Sequence, residues 1–291
     1  MSDNRGSQDN APPVAAAIQM ASGPKVSANL IEADRLLGEA AAAGASLAVL
    51  PENFAMLGRR DEERLSEAEP EGSGPLQEWL ASQARKHRMW IVGGTIPLTA
   101  GDDKCTGSCL VFDADGERRA RFDKMHLFDV SIPDSDERYH ESASTRAGDE
   151  VVVIDSPVGR LGLAVCYDLR FPELFRAMAA QGAEVFAVPS AFTVQTGRAH
   201  WEMLCRARAV ENLAWVIAGA QGGYHVDGRE TWGHSLIVDP WGVVVAEQQQ
   251  GAGVVTAPVA PEKRNRLRER FPVLEHRREQ LWSFGPRTRS D

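Results

Sequence analysis

The chain has 291 residues, 43% hydrophobic and 25% charged, with a formal net charge of −9. That is enough to bury a sizeable core and is the composition of an ordinary soluble globular protein. The acidic balance argues against a nucleic-acid partner, and no run approaches the ~18 apolar residues of a membrane span.

Residues 1–13 are polar and lack an apolar signal core, so they read as a disordered tail ahead of a unit covering 14–291. Residues 14–20 read as a first strand. Apolar positions at Val26, Leu30, Ala33, Leu37 and Ala40 predict a helix over 26–43, with Ser27 as N-cap and Gly44 as stop. Leu47–Leu50 reads as a buried strand that ends in Pro51-Glu52-Asn53. Residues 54–74 read as a charged loop, 75–88 as a helix opened by Pro75, and Met89–Ile96 as a strand. Thr106–Asp113 and Arg118–Phe122 flank Asp115-Gly116, a strong hairpin signal. The hairpin leads to Asp123-Lys124-Met125-His126-Leu127 and then to a long irregular stretch over 128–150.

Strands over 151–154 and 161–165 precede Cys166, and a helix is predicted over 173–181. A strand at Val185–Pro189 is followed by a Ser190-Ala191-Phe192-Thr193 loop and a helix over about 198–213. Arg206 and Arg208 on that helix read as ion-pair partners of Glu202 or Glu211. Strands over 215–220, 233–239, 243–246 and 253–257 follow, then a basic helix near Lys263–Arg270 with a solvated face. No repeat and no Pro/Gly/Ser linker divides the chain, which reads as one α/β unit with two sheets. Four cysteines make no disulfide framework, which fits a reducing, cytoplasmic setting, and Cys105 and Cys109 have no second pair at zinc-ligand spacing.

Cys166 falls at the end of an apolar strand, just before a helix opened by Pro172. There a thiol can be held out of the sheet toward free backbone N–H groups. Most cysteines are inert buried hydrophobes, so this position alone leaves nucleophile and core residue both open. Glu52, at another strand end, is either a loop carboxylate in solvent or a second group on the same rigid edge.

The chain resembles the nitrilase, or carbon–nitrogen hydrolase, superfamily. The resemblance spans about residues 14–282 and rests on Leu50-Pro51-Glu52, Asp123-Lys124-Met125-His126-Leu127 and Cys166-Tyr167-Asp168-Leu169-Arg170-Phe171-Pro172-Glu173. Pro189-Ser190-Ala191-Phe192, Ala199-His200-Trp201-Glu202, Gly233-His234-Ser235 and Asp239-Pro240-Trp241-Gly242 support it in the same order. It implies a four-layer α-β-β-α sandwich with two mixed sheets and outer helices, dimerised through a helix face. It also implies a Glu52, Lys124 and Cys166 triad, with Glu141 as a second active-site glutamate, and requires neither metal nor organic cofactor.

That chemistry suits the residue types. Only a thiolate attacks an amide carbon well; a nearby carboxylate can take its proton, and an ammonium with the Tyr167 N–H can hold the oxyanion. The resemblance is nearest to the branch of small-carboxylate amidases, so the expected partner is a small-molecule amide that carries a carboxylate. Nitrilase or N-carbamoyl amidohydrolase activity would use the same triad, and a non-catalytic binding role is the remaining alternative. Arg170 is the candidate carboxylate grip, with an ion pair to Glu173 as its other reading. Phe192 is either an apolar pocket wall or a plain core residue.

Overall fold

A computed structural model describes residues 11–58, 61–133, 137–226 and 228–278. Ten of the thirteen residues assigned to the tail, and the chain beyond residue 278, lie outside the described residues. Pro13, the last tail residue, accepts a 2.8 Å hydrogen bond from the Val259 N–H and so belongs to the folded unit.

β1 (Val14–Met20), β2 (Ala45–Val49) and β3 (Trp90–Val92) run parallel, with α1 (Val26–Ala42) and α2 (Pro75–His87) crossing between them. β4 (Ile96–Gly101), β5 (Lys104–Phe112) and β6 (Arg118–Asp123) extend that sheet in antiparallel fashion. A small hairpin of β7 (Asp129–Ser131) and β8 (Arg138–His140) occupies part of the stretch expected to be irregular.

The second sheet begins with the β9 (Val153–Ser156) and β10 (Gly159–Leu163) hairpin and adds β11 (Val185–Ala187) and β12 (Trp215–Ala218) in parallel. α3 (Pro172–Ala180) and α4 (Val194–Asn212) connect them. The chain then returns to the first sheet as β13 (Ala220–Tyr224) and β14 (Glu230–Trp232). β15 (Ser235–Val238) and β16 (Val244–Gln248) complete the second sheet, and β17 (Gly253–Pro258) pairs with β1. α5 (Pro261–Arg270) follows.

The layering is written in the two-residue period of the strands. Ala15 and Ala17 of β1, with Leu47 and Val49 of β2, face a core they share with Leu161, Leu163, Val185 and Ile217 of the second sheet. Ala16, Ile18 and Ala48 point the other way, against Leu36 and Leu37 of α1 and Leu80 of α2. Strands buried on both faces require this continuous apolar composition. The result is the expected α-β-β-α sandwich of two mixed sheets.

Several local expectations are corrected. Ser27 lies inside α1 and is exposed; the helix begins after Lys25, and no side chain caps it. Its entry is held instead by Asn29, whose amide exchanges 2.9 Å and 2.7 Å bonds with Gly23. The single strand expected over Met89–Ile96 is two, broken where Gly94 adopts φ +57°. The strands expected over 151–154 and 161–165 form a hairpin turning at Pro157-Val158, two residues offset. α4 starts at Val194, because the Thr193 hydroxyl caps it by accepting from the Thr196 N–H at 3.3 Å. β13 and β14 were not expected at all.

Candidate active site

Three chain crossings end at one edge of the sandwich. Glu52 follows β2, Lys124 follows β6 and Cys166 follows β10, beside the loop after β11 that carries Ala191 and Phe192. Carboxyl-terminal ends of parallel strands are where α/β folds leave room for ligands. Close packing behind the edge fixes Glu52: a Cβ on Gly94 would stand 2.1 Å from the Pro51 carbonyl oxygen, so only glycine fits there.

The cleft at this edge is open to solvent on one side and leaves about 70 Å³ for water-sized occupants, and Glu52, Lys124, Glu141 and Cys166 all line it. The Lys124 Nζ donates to Glu52 Oε1 and to Glu141 Oε2, both at 2.8 Å, with only 3% of the lysine exposed. Glu141 also accepts the Phe128 N–H at 2.8 Å, and the Arg64 guanidinium stands 3.6 Å from its other oxygen. Two cations therefore face two carboxylates in a nearly dry site, and the charges balance. Burial alone would lower the Lys124 pKa, but the Glu141 and Glu52 charges outweigh it and hold the ammonium well above the ordinary lysine value. Burial likewise pushes the Glu141 carboxyl upward, yet Lys124 and Arg64 prevail and bring it below its ordinary value.

Cys166 opens a short 3₁₀ turn, Cys166–Arg170, with its backbone at φ +47°. Its Sγ accepts from the Ala191 N–H at 3.4 Å. Burial and the Glu52 charge raise the thiol pKa well above the ordinary value, against the pull of Lys124 and the Ala191 N–H. Glu52, whose charge is among the causes of that rise, is the carboxylate beside the sulfur.

The three residues expected to contact substrate are in the same cleft. Arg170 makes no ion pair with Glu173; its Nη1 meets His200 Nδ1 at 3.2 Å, and its guanidinium carbon lies 5.7 Å from the Tyr167 ring centre and 5.5 Å from that of Phe192. Phe192 is both wall and core, since it lines the cleft while packing edge-on against Trp201. Arg206 and Arg208 do pair with Glu202 and Glu211, at 3.0 Å and 2.9 Å. Sequence reasoning missed Arg64, hidden in a charged stretch, and Arg229 and Thr196, which also line the cleft. It also gave no role to Asp168, a fully buried carboxylate.

Comparison with known proteins shows the family. The profile of the Carbon-nitrogen hydrolase family matches residues 14–269. The chain belongs to the carbon-nitrogen hydrolase family. It is 41% identical over 265 residues to the deaminated glutathione amidase of Yersinia enterocolitica, covering 90% of this chain and 92% of that one. The crystal structure of the Caenorhabditis elegans NitFhit protein superposes with a TM-score of 0.87 at 37% identity; the match covers 94% of this chain and 66% of that longer one. A branch 10 member of the nitrilase superfamily from Saccharomyces cerevisiae gives a TM-score of 0.83 at 32% identity, covering 92% of this chain and 97% of that one. This member of the family is an amidase acting on a carbon–nitrogen bond, and cysteine-dependent chemistry is typical of such enzymes.

Proposed function

We propose that this amidase hydrolyses a small carboxylate-bearing amide, of the kind named for its deaminated glutathione amidase relatives, to acid and ammonia through a thioester on Cys166. One observation carries the reading: a single buried ammonium, Lys124, bonds two carboxylates beside a buried thiol at the floor of an open cleft.

Glu52 takes the Cys166 proton as sulfur attacks the amide carbon. Two of the three Lys124 N–H donors are occupied by Glu52 and Glu141, which leaves the third for the developing oxyanion, together with the Tyr167 N–H. The proton on Glu52 then passes to the departing nitrogen, and ammonia leaves. Glu52 next draws a proton from water as the water opens the thioester, and Cys166 recovers its proton. Glu141 holds Lys124 and faces the substrate amide. Arg170, with no carboxylate partner among the described residues, grips the substrate carboxylate, with Tyr167 and Phe192 as apolar walls.

Ammonia release tests this on deaminated glutathione, 2-oxoglutaramate, an N-carbamoyl amino acid and a simple nitrile, with Cys166→Ala as blank. A preferred amide that is silent in the blank is the expected result. Preference for the nitrile or the carbamoyl compound would move the chain to another reaction class.

We infer further that the chain works as a homodimer in the cytoplasm. Met203 and Val210 of α4 are 60% and 45% exposed, and Trp241, next in the chain to the Gly242 that packs on Val210, is 57% exposed, an apolar surface suited to a second copy. Light scattering that reads the mass of one chain would remove the dimer. All four cysteines are free thiols, which suits a reducing compartment.

A further inference from the structure

We propose that Asp168 and His126, neither of which lines the cleft, form a clamp that registers Cys166 against Lys124. The inference rests on the reading of Cys166 as nucleophile and Lys124 as oxyanion donor.

A non-glycine residue at positive φ costs roughly 1–3 kcal/mol and persists only where its surroundings over-determine it. Cys166 is such a residue, and Asp168 supplies much of the determination. Asp168 Oδ2 accepts the Val165 N–H at 2.9 Å, and the Asp168 N–H donates to the Val165 carbonyl at 2.9 Å. Both polar backbone groups of the residue before Cys166 are thus tied to one fully buried side chain and its own backbone. A third restraint is the 2.9 Å bond from the Cys166 N–H to the Pro189 carbonyl.

The other oxygen of the same carboxylate reaches across to the lysine. Asp168 Oδ1 accepts the His126 backbone N–H at 2.8 Å and meets the His126 Nδ1 at 2.7 Å, where the ring carries the proton that a carboxylate oxygen accepts. His126 is two residues beyond Lys124. Its ring stacks on Phe171 with centroids 3.6 Å apart and planes 6° from parallel, and the Phe171 N–H returns to the Asp168 carbonyl at 3.0 Å. Lys124 comes from the end of a first-sheet strand and Cys166 from the end of a second-sheet strand. One buried carboxylate therefore spans the seam between the sheets and sets the distance between sulfur and ammonium. Asp168 and His126 do not line the cleft, so the role assigned to them is positioning. A misplacement of about 1 Å at a reacting group can cost on the order of 10² in rate.

The test compares His126→Leu, which removes the ring donor, with His126→Asn, whose amide can reach the Nδ1 position and keep it. On whichever panel amide is turned over, His126→Leu should lower kcat by about 30-fold with KM within about threefold, while His126→Asn should stay within about fivefold of the parent. Alkylation of Cys166 by iodoacetamide, which needs no substrate, should slow by about tenfold in His126→Leu and recover in His126→Asn. Equal impairment of the two variants, a loss confined to KM, or parent-like kcat and alkylation in His126→Leu would each overturn the clamp. If His126→Leu does not fold, His126→Ser, too short to reach Asp168, carries the same expectations. Cys166→Ala assayed alongside separates the two readings: an active Cys166→Ala removes the nucleophile, whereas a dead one with a fully active His126→Leu removes only the clamp.

Discussion

The floor and the wall of the cleft are held by different forces. On the floor, Glu52, Lys124, Glu141 and Cys166 are each at most 8% exposed and locked by charge-assisted or backbone hydrogen bonds. On the wall, Tyr167 and Arg170 are half-buried, and Arg170 rests between two rings with one bond to an imidazole. Buried charge-assisted bonds are short, strong and intolerant of displacement, whereas ring contacts are softer and worth less each. On the proposed reading, reaction type would be fixed rigidly and substrate choice left adjustable at low structural cost.

The contrast is sharpest at Lys124. Lys124→Met should strand two buried carboxylates and lower kcat by at least about 10³-fold, with a stability loss of about 3–5 kcal/mol. Ammonia release and urea unfolding read both, and a variant of parent stability would show the floor to be less dry than its geometry indicates. Glu141→Gln keeps the shape but halves the negative charge around the ammonium, and kcat should fall by about 10²-fold. The parent should also be the more stable at neutral pH. The Glu141 carboxyl lies below its ordinary value in the folded chain, so its contribution is present above that ordinary value and lost as pH falls through the lower, folded one. The stability gap should therefore close on acidification in urea melts, and a gap unchanged by acid would detach Glu141 from that linkage. Arg170→Ala tests the wall and should be the mildest, raising KM for a carboxylate-bearing amide about 10–30-fold with kcat nearly unchanged. A neutral amide of similar size should not notice the change. Equal losses on both amides would make Arg170 a structural residue.

The legible parts of this fold were those determined locally. The apolar run of β1, the helical rhythm of α1, Pro75 opening α2 and the Asp115-Gly116 hairpin each carry their instruction within a few residues. β13 was illegible because Gln221-Gly222-Gly223 has the composition of a loop. It becomes a strand through a neighbour far away in sequence: a Cβ on Gly222 would meet Gly233 and the Gln19 side chain within 3 Å. The same distinction runs through the site. Glu52 and Cys166 stand at ends of apolar strands and Lys124 at the end of the hairpin, so each could be singled out, but nothing local shows that they meet. Arg64 sits among charges that all look like surface, and only the tertiary fold turns it toward Glu141. Asp168 drew no role because its partner His126 lies 42 residues away, on the connection leaving the other sheet.

One feature of the first sheet also bears on how the chain is made. β1 pairs with β2 on one side; on the other, β13 meets only its Gln19–Met20 end, and Val14 to Gln19 are covered by β17. On a ribosome adding about 5–20 residues per second, that edge waits roughly 10–50 s for its partner. During that interval a run of alanine, isoleucine and methionine offers an open strand edge to other nascent chains. Newborn copies that end before Gly253 should therefore be the aggregation-prone species in a cell, and the ones that engage holding chaperones.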